Sequence, residues 1–193
     1  MNTTVFTIPN FISFIRILLA PGLLTAGMLI EPQWFLWMFA VSLLTDFLDG
    51  FLARLLNQQS KLGSQLDTIG DVLTGGVVII GGSLIWPKVI QAEAYGFLAI
   101  IVMLAFSGIV TLVKYRHLPS YHTWTAKIST GIIGVGAWFL FAGFTPWVFR
   151  VGLVVLILSA VEEIAITLIL PGWRPNVPHV FRAWKFRKEA SAD

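Results

Sequence analysis

The chain has 193 residues, of which 56% are hydrophobic and 12% are charged, and its formal net charge is +3. Soluble domains carry about 25% charged residues, so this composition excludes an ordinary soluble domain, a disordered chain and a nucleic-acid-binding module, and it favours a membrane protein. The sequence contains no cysteine, which excludes disulfides and thiolate metal sites.

Six apolar stretches follow one another along the chain, and each is about as long as a helix that crosses a bilayer. Proline, tryptophan or charged residues stand at their borders, as is typical of membrane interfaces. We predict spans over Phe11–Ile30, Trp34–Ala53, Leu66–Ile85, Ala94–Val113, Ile128–Phe144 and Val148–Leu170. The sequence therefore predicts an all-α polytopic membrane protein, with a single membrane-embedded domain over residues 1–193 that ends in a short basic tail from about residue 171.

Basic residues are distributed unequally between the two sides of this layout. Ten lysines and arginines lie in or beside the second loop, the fourth loop and the tail, whereas Lys88 and Arg150 alone lie on the opposite side. Because basic loops stay in the cytoplasm, we predict that both termini are cytoplasmic, in a bacterial inner membrane. The basic tail is expected to contact anionic lipid headgroups.

Four aspartates lie where the second predicted span ends and the third begins, namely Asp46, Asp49, Asp67 and Asp71. A charged group inside a membrane segment costs on the order of a few kcal/mol, so such groups usually mark function. Four carboxylates at close range would repel one another unless cations neutralise them. Ligands that offer only oxygen suit hard divalent cations such as Mg²⁺, Mn²⁺ or Ca²⁺.

Helical periodicity gives each pair of aspartates a shared helix face. The residues that share these two faces with the aspartates are Gly50, Ala53, Arg54 and Gly63. A short connection, Leu55–Leu62, would fold the two helices antiparallel and let the acidic faces meet near the cytoplasmic surface. The two glycines remove side chains where a ligand approaches backbone, and Arg54 can hold a phosphate by paired hydrogen bonds. The pattern favours phosphate-ester chemistry at the membrane face.

The segment from Asp46 to Asp71 fits the pattern D-x2-D-G-x2-A-R-x8-G-x3-D-x3-D at all eight defined positions. This pattern is the signature of the CDP-alcohol phosphatidyltransferases, integral membrane enzymes of phospholipid synthesis, and the chain therefore resembles that family. The six-span layout, and the opening Ile8-Pro9-Asn10 followed by Arg16, are also similar to the family.

The resemblance implies transfer of a phosphatidyl group from CDP-diacylglycerol to the hydroxyl of a small alcohol, with release of CMP. It implies two divalent cations, Mg²⁺ or Mn²⁺, that bridge the diphosphate and the aspartates. The implied metal ligands are Asp46, Asp49, Asp67 and Asp71, and Asp71 is also the implied catalytic base. The residues implied to line the CDP pocket are Gly50, Ala53, Arg54 and Gly63. The resemblance also implies a homodimer.

The acceptor alcohol is indicated less clearly. We expect glycerol 3-phosphate first, with inositol, inositol phosphate, serine and a second lipid as alternatives. Lys114, Arg116, His117, His122 and Lys127 cluster around the fourth loop; a phosphorylated acceptor would suit them, although ordinary cytoplasmic loop charge also explains them.

Two positions in the signature segment count against glycerol 3-phosphate. Many bacterial phosphatidylglycerophosphate synthases resemble one another in having proline after the third motif aspartate and lysine after the fourth. Thr68 and Val72 stand at these positions here.

Three further charged residues fall inside predicted spans. Arg16 needs either a polar partner among the helices or a route to the surface, so substrate contact and snorkelling are both open. Glu162 and Glu163 are adjacent and point about 100° apart, so they do not both face one small pocket. Pairing with Arg16 or Lys127 and recognition of the acceptor are the two roles expected for them.

A divalent-cation transporter is the alternative from a different functional class, because carboxylates also line ion paths. Transport sites tend to lie near the midplane and to accompany an internal repeat, and the sequence suggests neither. An intramembrane prenyltransferase, the other enzyme considered, would need a second aspartate-rich motif, which this sequence lacks.

Overall fold

The computed structural model describes residues 7–56, 58, 61–116, 123–170, 172, 177 and 179–190. Within these ranges the side chains of Arg54, Lys61, Leu62, Ser64, Thr68, Leu104, Glu189 and Ala190 lie outside the description. The described residues form helices and no strand. The helices are α1 (Ile8–Met28), α2 (Pro32–Leu55), α3 (Lys61–Ile85), α4 (Pro87–Ala92), α5 (Ala94–Tyr115), α6 (Trp124–Phe141), α7 (Trp147–Ile169) and α8 (Val180–Ala190).

Six of these helices, all except α4 and α8, are long and apolar enough to cross a bilayer. The prediction of an all-α protein with about six spans is therefore confirmed, and the chain is an integral membrane protein. The fifth span differs from its predicted bounds at both ends. It begins at Trp124 because the hydroxyl of Thr123 caps the helix, accepting a hydrogen bond from the Ala126 amide at 3.2 Å. It ends at Phe141 shortly before Gly143, whose φ of 76° is a conformation that terminates helices.

The C-terminal segment is not simply a basic tail. Within it, α8 is an ordered helix whose Ala183 is fully buried in a cluster with Ile166, Leu170 and Val177. Val180 and Ala183 lie three residues apart, so they share one face of α8, and that apolar face packs against the end of α7. The basic residues of α8 occupy its exposed positions.

The chain separates into two compact units, Met1–Ala92 and Glu93–Asp193. In the first unit α1 packs against both α2 and α3, whereas α2 and α3 contact each other little. A Cβ atom on Gly27 of α1 would lie 2.6 Å from the Cα atom of Gly81 on α3. The two helices therefore cross at a distance that only glycine allows, and α1 is the central helix of this unit.

In the second unit α7 packs against α5, α6 and α8. Glycine again permits the closest approach, because a Cβ atom on Gly136 of α6 would lie 2.4 Å from the backbone nitrogen of Phe149 on α7. At the start of α5, Glu93 forms an ion pair with Arg150 of α7, with 2.6 Å between Oε1 and Nη2. This pair ties the beginning of α5 to the beginning of α7.

Candidate functional site

The aspartates of α2 and α3 converge in the first unit. One carboxylate oxygen from each of Asp46, Asp49 and Asp67 lies within 4.8 Å of the other two. The meeting of two acidic helix faces, which helical periodicity predicts, is therefore present. Three carboxylate oxygens at this spacing form a donor set that suits a hard divalent cation.

A cation from α1 lies among all four motif carboxylates. Nη1 of Arg16 donates a hydrogen bond to Asp46 and lies 3.3 Å from Oδ1 of Asp71. Nη2 lies 2.7 Å from Oδ1 of Asp67 and 3.8 Å from Oδ2 of Asp49. The side chain of Arg16 is only 1% exposed. The structure thus excludes snorkelling for Arg16 and gives it partners that the sequence did not identify.

Gly70 provides the space in which Arg16 lies. A Cβ atom on Gly70 would be 2.5 Å from Nε of Arg16 and 3.0 Å from its Nη2. Arg16 therefore lies directly against the backbone of α3, between the turns that carry Asp67 and Asp71. Gly70 is not a defined position of the aspartate pattern, and the sequence analysis did not single it out.

A buried hydroxyl from α1 supports Asp49. Oγ of Ser13 donates to Oδ2 of Asp49 at 2.6 Å, and the two residues are 3% and 4% exposed. Asn10, Ser13 and Arg16 are all buried and follow one another at three-residue spacing, which places them on one face of α1. This polar stripe in an otherwise apolar span is the sequence signal that would have identified α1 as part of the site.

The residues predicted to bind the nucleotide stand near the aspartates along α2 and α3. A Cβ atom on Gly50 would meet no atom within 4 Å, so the space beside it is open. The carbonyl of Ala53 accepts a hydrogen bond from the Gln58 amide at 3.0 Å, which closes the end of α2. Gly63 is half-buried in the first turn of α3. The side chain of Arg54 lies outside the described residues, so its phosphate contact stays a prediction.

Lys114, a residue considered for acceptor binding, has a different role in the second unit. Its Nζ donates to the carbonyl oxygens of Thr167, Leu168 and Leu170 at 2.6, 3.1 and 3.0 Å. The hydroxyl of Tyr115 donates to two of the same carbonyls, at 2.7 and 2.8 Å. These donors satisfy carbonyls that have no partner within a helix end, and the ammonium charge complements the negative end of the α7 dipole. Lys114 is therefore a C-terminal cap of α7.

Two other basic residues considered for acceptor binding lie near helix ends. Nζ of Lys127 lies 6.0 Å from the ring centroid of Trp124, near the start of α6. Arg116 has a φ of 57° and ends α5 in the left-handed conformation. His117 and His122 lie outside the described residues, so their part in acceptor binding stays a prediction.

The capping role of Lys114 gives a testable expectation. Lys114→Met should lower the free energy of unfolding by about 2 kcal/mol, because a charged donor that serves three carbonyls at the end of α7 is lost. The KM for a phosphorylated acceptor should stay within about twofold of wild type, since the ammonium group is committed to α7. Thermal unfolding in detergent and acceptor titrations measure the two effects. A large rise in KM with unchanged stability would instead assign Lys114 to the acceptor.

Glu162 and Glu163 take hydroxyl and amide partners. Oε2 of Glu163 accepts from the hydroxyl of Ser107 at 2.5 Å. Glu162 accepts from the Thr125 hydroxyl and, at 3.2 Å, from the amide of Val180 at the start of α8. The pairing with Lys127 that the sequence analysis considered is not among the contacts of the described residues. Glu162, which belongs to α7, instead makes hydrogen bonds to α6 and α8.

A small cavity of about 50 Å³ lies beside Glu163 in the second unit. Its polar lining residues are Ser107, Ser129, Thr130, Ser159 and Glu163. The volume accommodates a few water molecules, which would help to solvate a carboxylate inside a membrane segment. A phosphorylated acceptor does not suit this cavity, since Glu163 is the charged residue among its described lining.

Comparison with known proteins shows a family match over most of the chain. Residues 6–170 match the family model described as CDP-alcohol phosphatidyltransferase. The chain is 38% identical over 92 residues to a CDP-diacylglycerol–glycerol-3-phosphate 3-phosphatidyltransferase of Cereibacter sphaeroides, covering 44% of this chain and 42% of the relative. It is 41% identical over 123 residues to the cardiolipin synthase (CMP-forming) of Homo sapiens, covering 61% of this chain and 38% of the relative.

A shorter match is to an enzyme named for a third acceptor, inositol. The chain is 42% identical over 64 residues to the CDP-diacylglycerol–inositol 3-phosphatidyltransferase of Saccharomyces cerevisiae, covering 33% of this chain and 29% of the relative. The chain thus spans less than half the length of each of these curated relatives. No solved structure matches the chain significantly.

Proposed function

Because the chain belongs to the CDP-alcohol phosphatidyltransferase family, we propose that it transfers a phosphatidyl group from CDP-diacylglycerol to an alcohol hydroxyl and releases CMP. The observation that carries this proposal is the convergence of Asp46, Asp49 and Asp67, whose oxygens lie within 4.8 Å of one another. The family match supports an enzyme of phospholipid synthesis and gives no support to a divalent-cation transporter.

We assign two divalent cations, Mg²⁺ or Mn²⁺, to the motif aspartates. Asp46, Asp49 and Asp67 would hold them, with Asp71 joining one. The side chains of Asp46 and Asp67 are 39% and 43% exposed, so a ligand can reach them, whereas Asp49 is buried and oriented by Ser13. When bound, the cations would neutralise the diphosphate and make CMP a better leaving group.

The residues of the chain itself would orient the nucleotide and move one proton. The acceptor oxygen forms a bond to the phosphorus of the phosphatidyl group, the bond from that phosphorus to the CMP oxygen breaks, and the acceptor proton passes to the carboxylate of Asp71. The side chain of Asp71 is 45% exposed, which leaves it accessible to a hydroxyl. Gly50, Ala53, Arg54 and Gly63 would line the CDP pocket, and the open space beside Gly50 supports this assignment.

We propose glycerol 3-phosphate as the first acceptor to test, as the match to the Cereibacter sphaeroides enzyme suggests. The second candidate is a lipid, phosphatidylglycerol. The match to cardiolipin synthase favours it, because that match covers 61% of the chain rather than 44%. The use of Lys114 as a helix cap also favours the second candidate, since it leaves fewer cations for a small phosphorylated acceptor.

The proposal extends to location and assembly. We infer a bacterial inner membrane, and the unequal distribution of basic residues supports a cytoplasmic position for both termini. A homodimer, and action of residues 1–193 as one domain, stay predictions from the family resemblance.

Release of CMP by the purified protein tests the proposal directly. The protein would be assayed with CDP-diacylglycerol and Mg²⁺ or Mn²⁺ against glycerol 3-phosphate, phosphatidylglycerol, inositol, inositol phosphate and serine. We expect CMP release that depends on the metal and on one acceptor, and the D46N/D67N double variant is the inactive control. Folded protein that neither binds CDP-diacylglycerol nor releases CMP would refute the proposal.

A further inference from the structure

We propose that Arg16 is a resident cation of the aspartate site, which neutralises the motif carboxylates in the absence of divalent cations and competes with those cations for the same oxygens. The inference rests on the proposed metal-binding function of the site. It adds a role for a residue of α1, which lies outside the aspartate pattern.

The first argument is geometric. The groups that Arg16 contacts are carboxylate oxygens of Asp46, Asp67 and Asp71, with Asp49 slightly farther away. Three of these four residues also form the cluster of oxygens within 4.8 Å that suits a metal. A guanidinium presents several donors in one plane and keeps its charge in proteins, so it can serve several carboxylates at once.

The second argument is electrostatic. Four carboxylates and one guanidinium leave the cluster with a formal excess of three negative charges if all four are ionised. Arg16 therefore reduces the repulsion among the aspartates without removing the attraction for further cations. A divalent cation that binds the same oxygens must share them with a positive charge a few ångströms away, and this repulsion weakens its binding.

The third argument is that the surrounding residues fix the position of Arg16. The side chain is 1% exposed, and it lies against Gly70, where a Cβ atom would be 2.5 Å from Nε. Nε is itself buried and has no hydrogen-bond partner among the described residues. The hydrogen bonds to Asp46 and to the side chain and carbonyl of Asp67 are therefore what hold the guanidinium. Contacts of this kind weaken when a metal takes the carboxylate oxygens.

The test compares Mn²⁺ binding and thermal unfolding in wild type, Arg16→Gln and the control Arg150→Gln. The control removes an arginine that also forms an ion pair with a carboxylate, but its partner is Glu93 of the second unit and not a motif aspartate. We expect Arg16→Gln to bind Mn²⁺ at least about tenfold more tightly, because a competing charge is removed. We also expect it to unfold at a lower temperature without metal, with most of that loss recovered in saturating Mn²⁺. Arg150→Gln should leave Mn²⁺ affinity unchanged.

Other outcomes would overturn the inference. Unchanged Mn²⁺ affinity in Arg16→Gln would mean that Arg16 does not compete, and weaker affinity would mean that it only positions the carboxylates. If Arg16→Gln fails to fold, Arg16→Lys gives the same comparison. Its single ammonium group serves fewer carboxylates, so tighter Mn²⁺ binding than wild type supports competition and equal or weaker binding overturns it. Wild-type protein that binds no Mn²⁺ would contradict the proposed metal site itself.

Discussion

Asp71→Asn should reduce CMP release by roughly 10³-fold, which is within the range expected for loss of a general base. The amide keeps the size of the side chain but takes no proton from the acceptor hydroxyl. Asp71 suits this role because its carboxylate is 45% exposed and therefore accessible to a hydroxyl, while Nη1 of Arg16 lies 3.3 Å from Oδ1 and holds it in place. It lies one turn beyond Asp67 on α3, next to the oxygen cluster. The measurement is the initial rate of CMP release with saturating CDP-diacylglycerol, metal and acceptor.

The interpretation of this variant needs two accompanying measurements. CDP-diacylglycerol binding should be retained, which separates loss of proton transfer from loss of the substrate site. Glu31→Gln removes an exposed carboxylate at the connection between α1 and α2 and should leave the rate unchanged. Turnover by Asp71→Asn within about tenfold of wild type would contradict the base assignment and would leave Asp71 as a metal ligand or an ion-pair partner.

The aspartate cluster could be predicted because its information is local. Asp46 and Asp49 lie three residues apart and Asp67 and Asp71 four apart, so helical periodicity alone gives each pair a common face. A short connection between the two helices then brings the faces together. The span boundaries follow in a similar way from apolar length, although a cap such as Thr123 shifts the actual start of a helix by several residues.

The contribution of α1 could not be predicted in the same way. Arg16 lies 30 residues from Asp46 and 51 from Asp67 along the chain, and a charged residue in a span indicates that a partner exists without saying which one. Glu162 and Glu163 illustrate the same limit. Periodicity separates their directions, but the hydroxyls of Thr125 and Ser107 that they contact come from other helices. For Lys114 the sequence suggests acceptor binding or loop charge and not a helix cap, because the end of α7 is distant in sequence.

Gly70→Ala should lower the rate of CMP release at least about tenfold and should lower the stability of the protein. Gly75→Ala on the same helix should do neither. The added Cβ atom at position 70 would lie 2.5 Å from Nε of Arg16, a distance that forces the arginine to move. Arg16 has little freedom to do so, because it is buried and its guanidinium serves the four motif carboxylates. Overpacking of this kind costs about 1–3 kcal/mol, and the displaced guanidinium would also alter the aspartate site.

Gly75 is the matched control because a Cβ atom there would meet no atom within 4 Å and the residue is exposed. Replacing a helical glycine by alanine at such a position favours the helix by about 0.5–1 kcal/mol, so Gly75→Ala should unfold at the wild-type temperature or slightly above it. Thermal unfolding of the metal-free protein and the rate of CMP release are measured for both variants. Equal behaviour of the two variants would show that the contact between Arg16 and α3 is not needed, since the two substitutions add the same methyl group to the same helix.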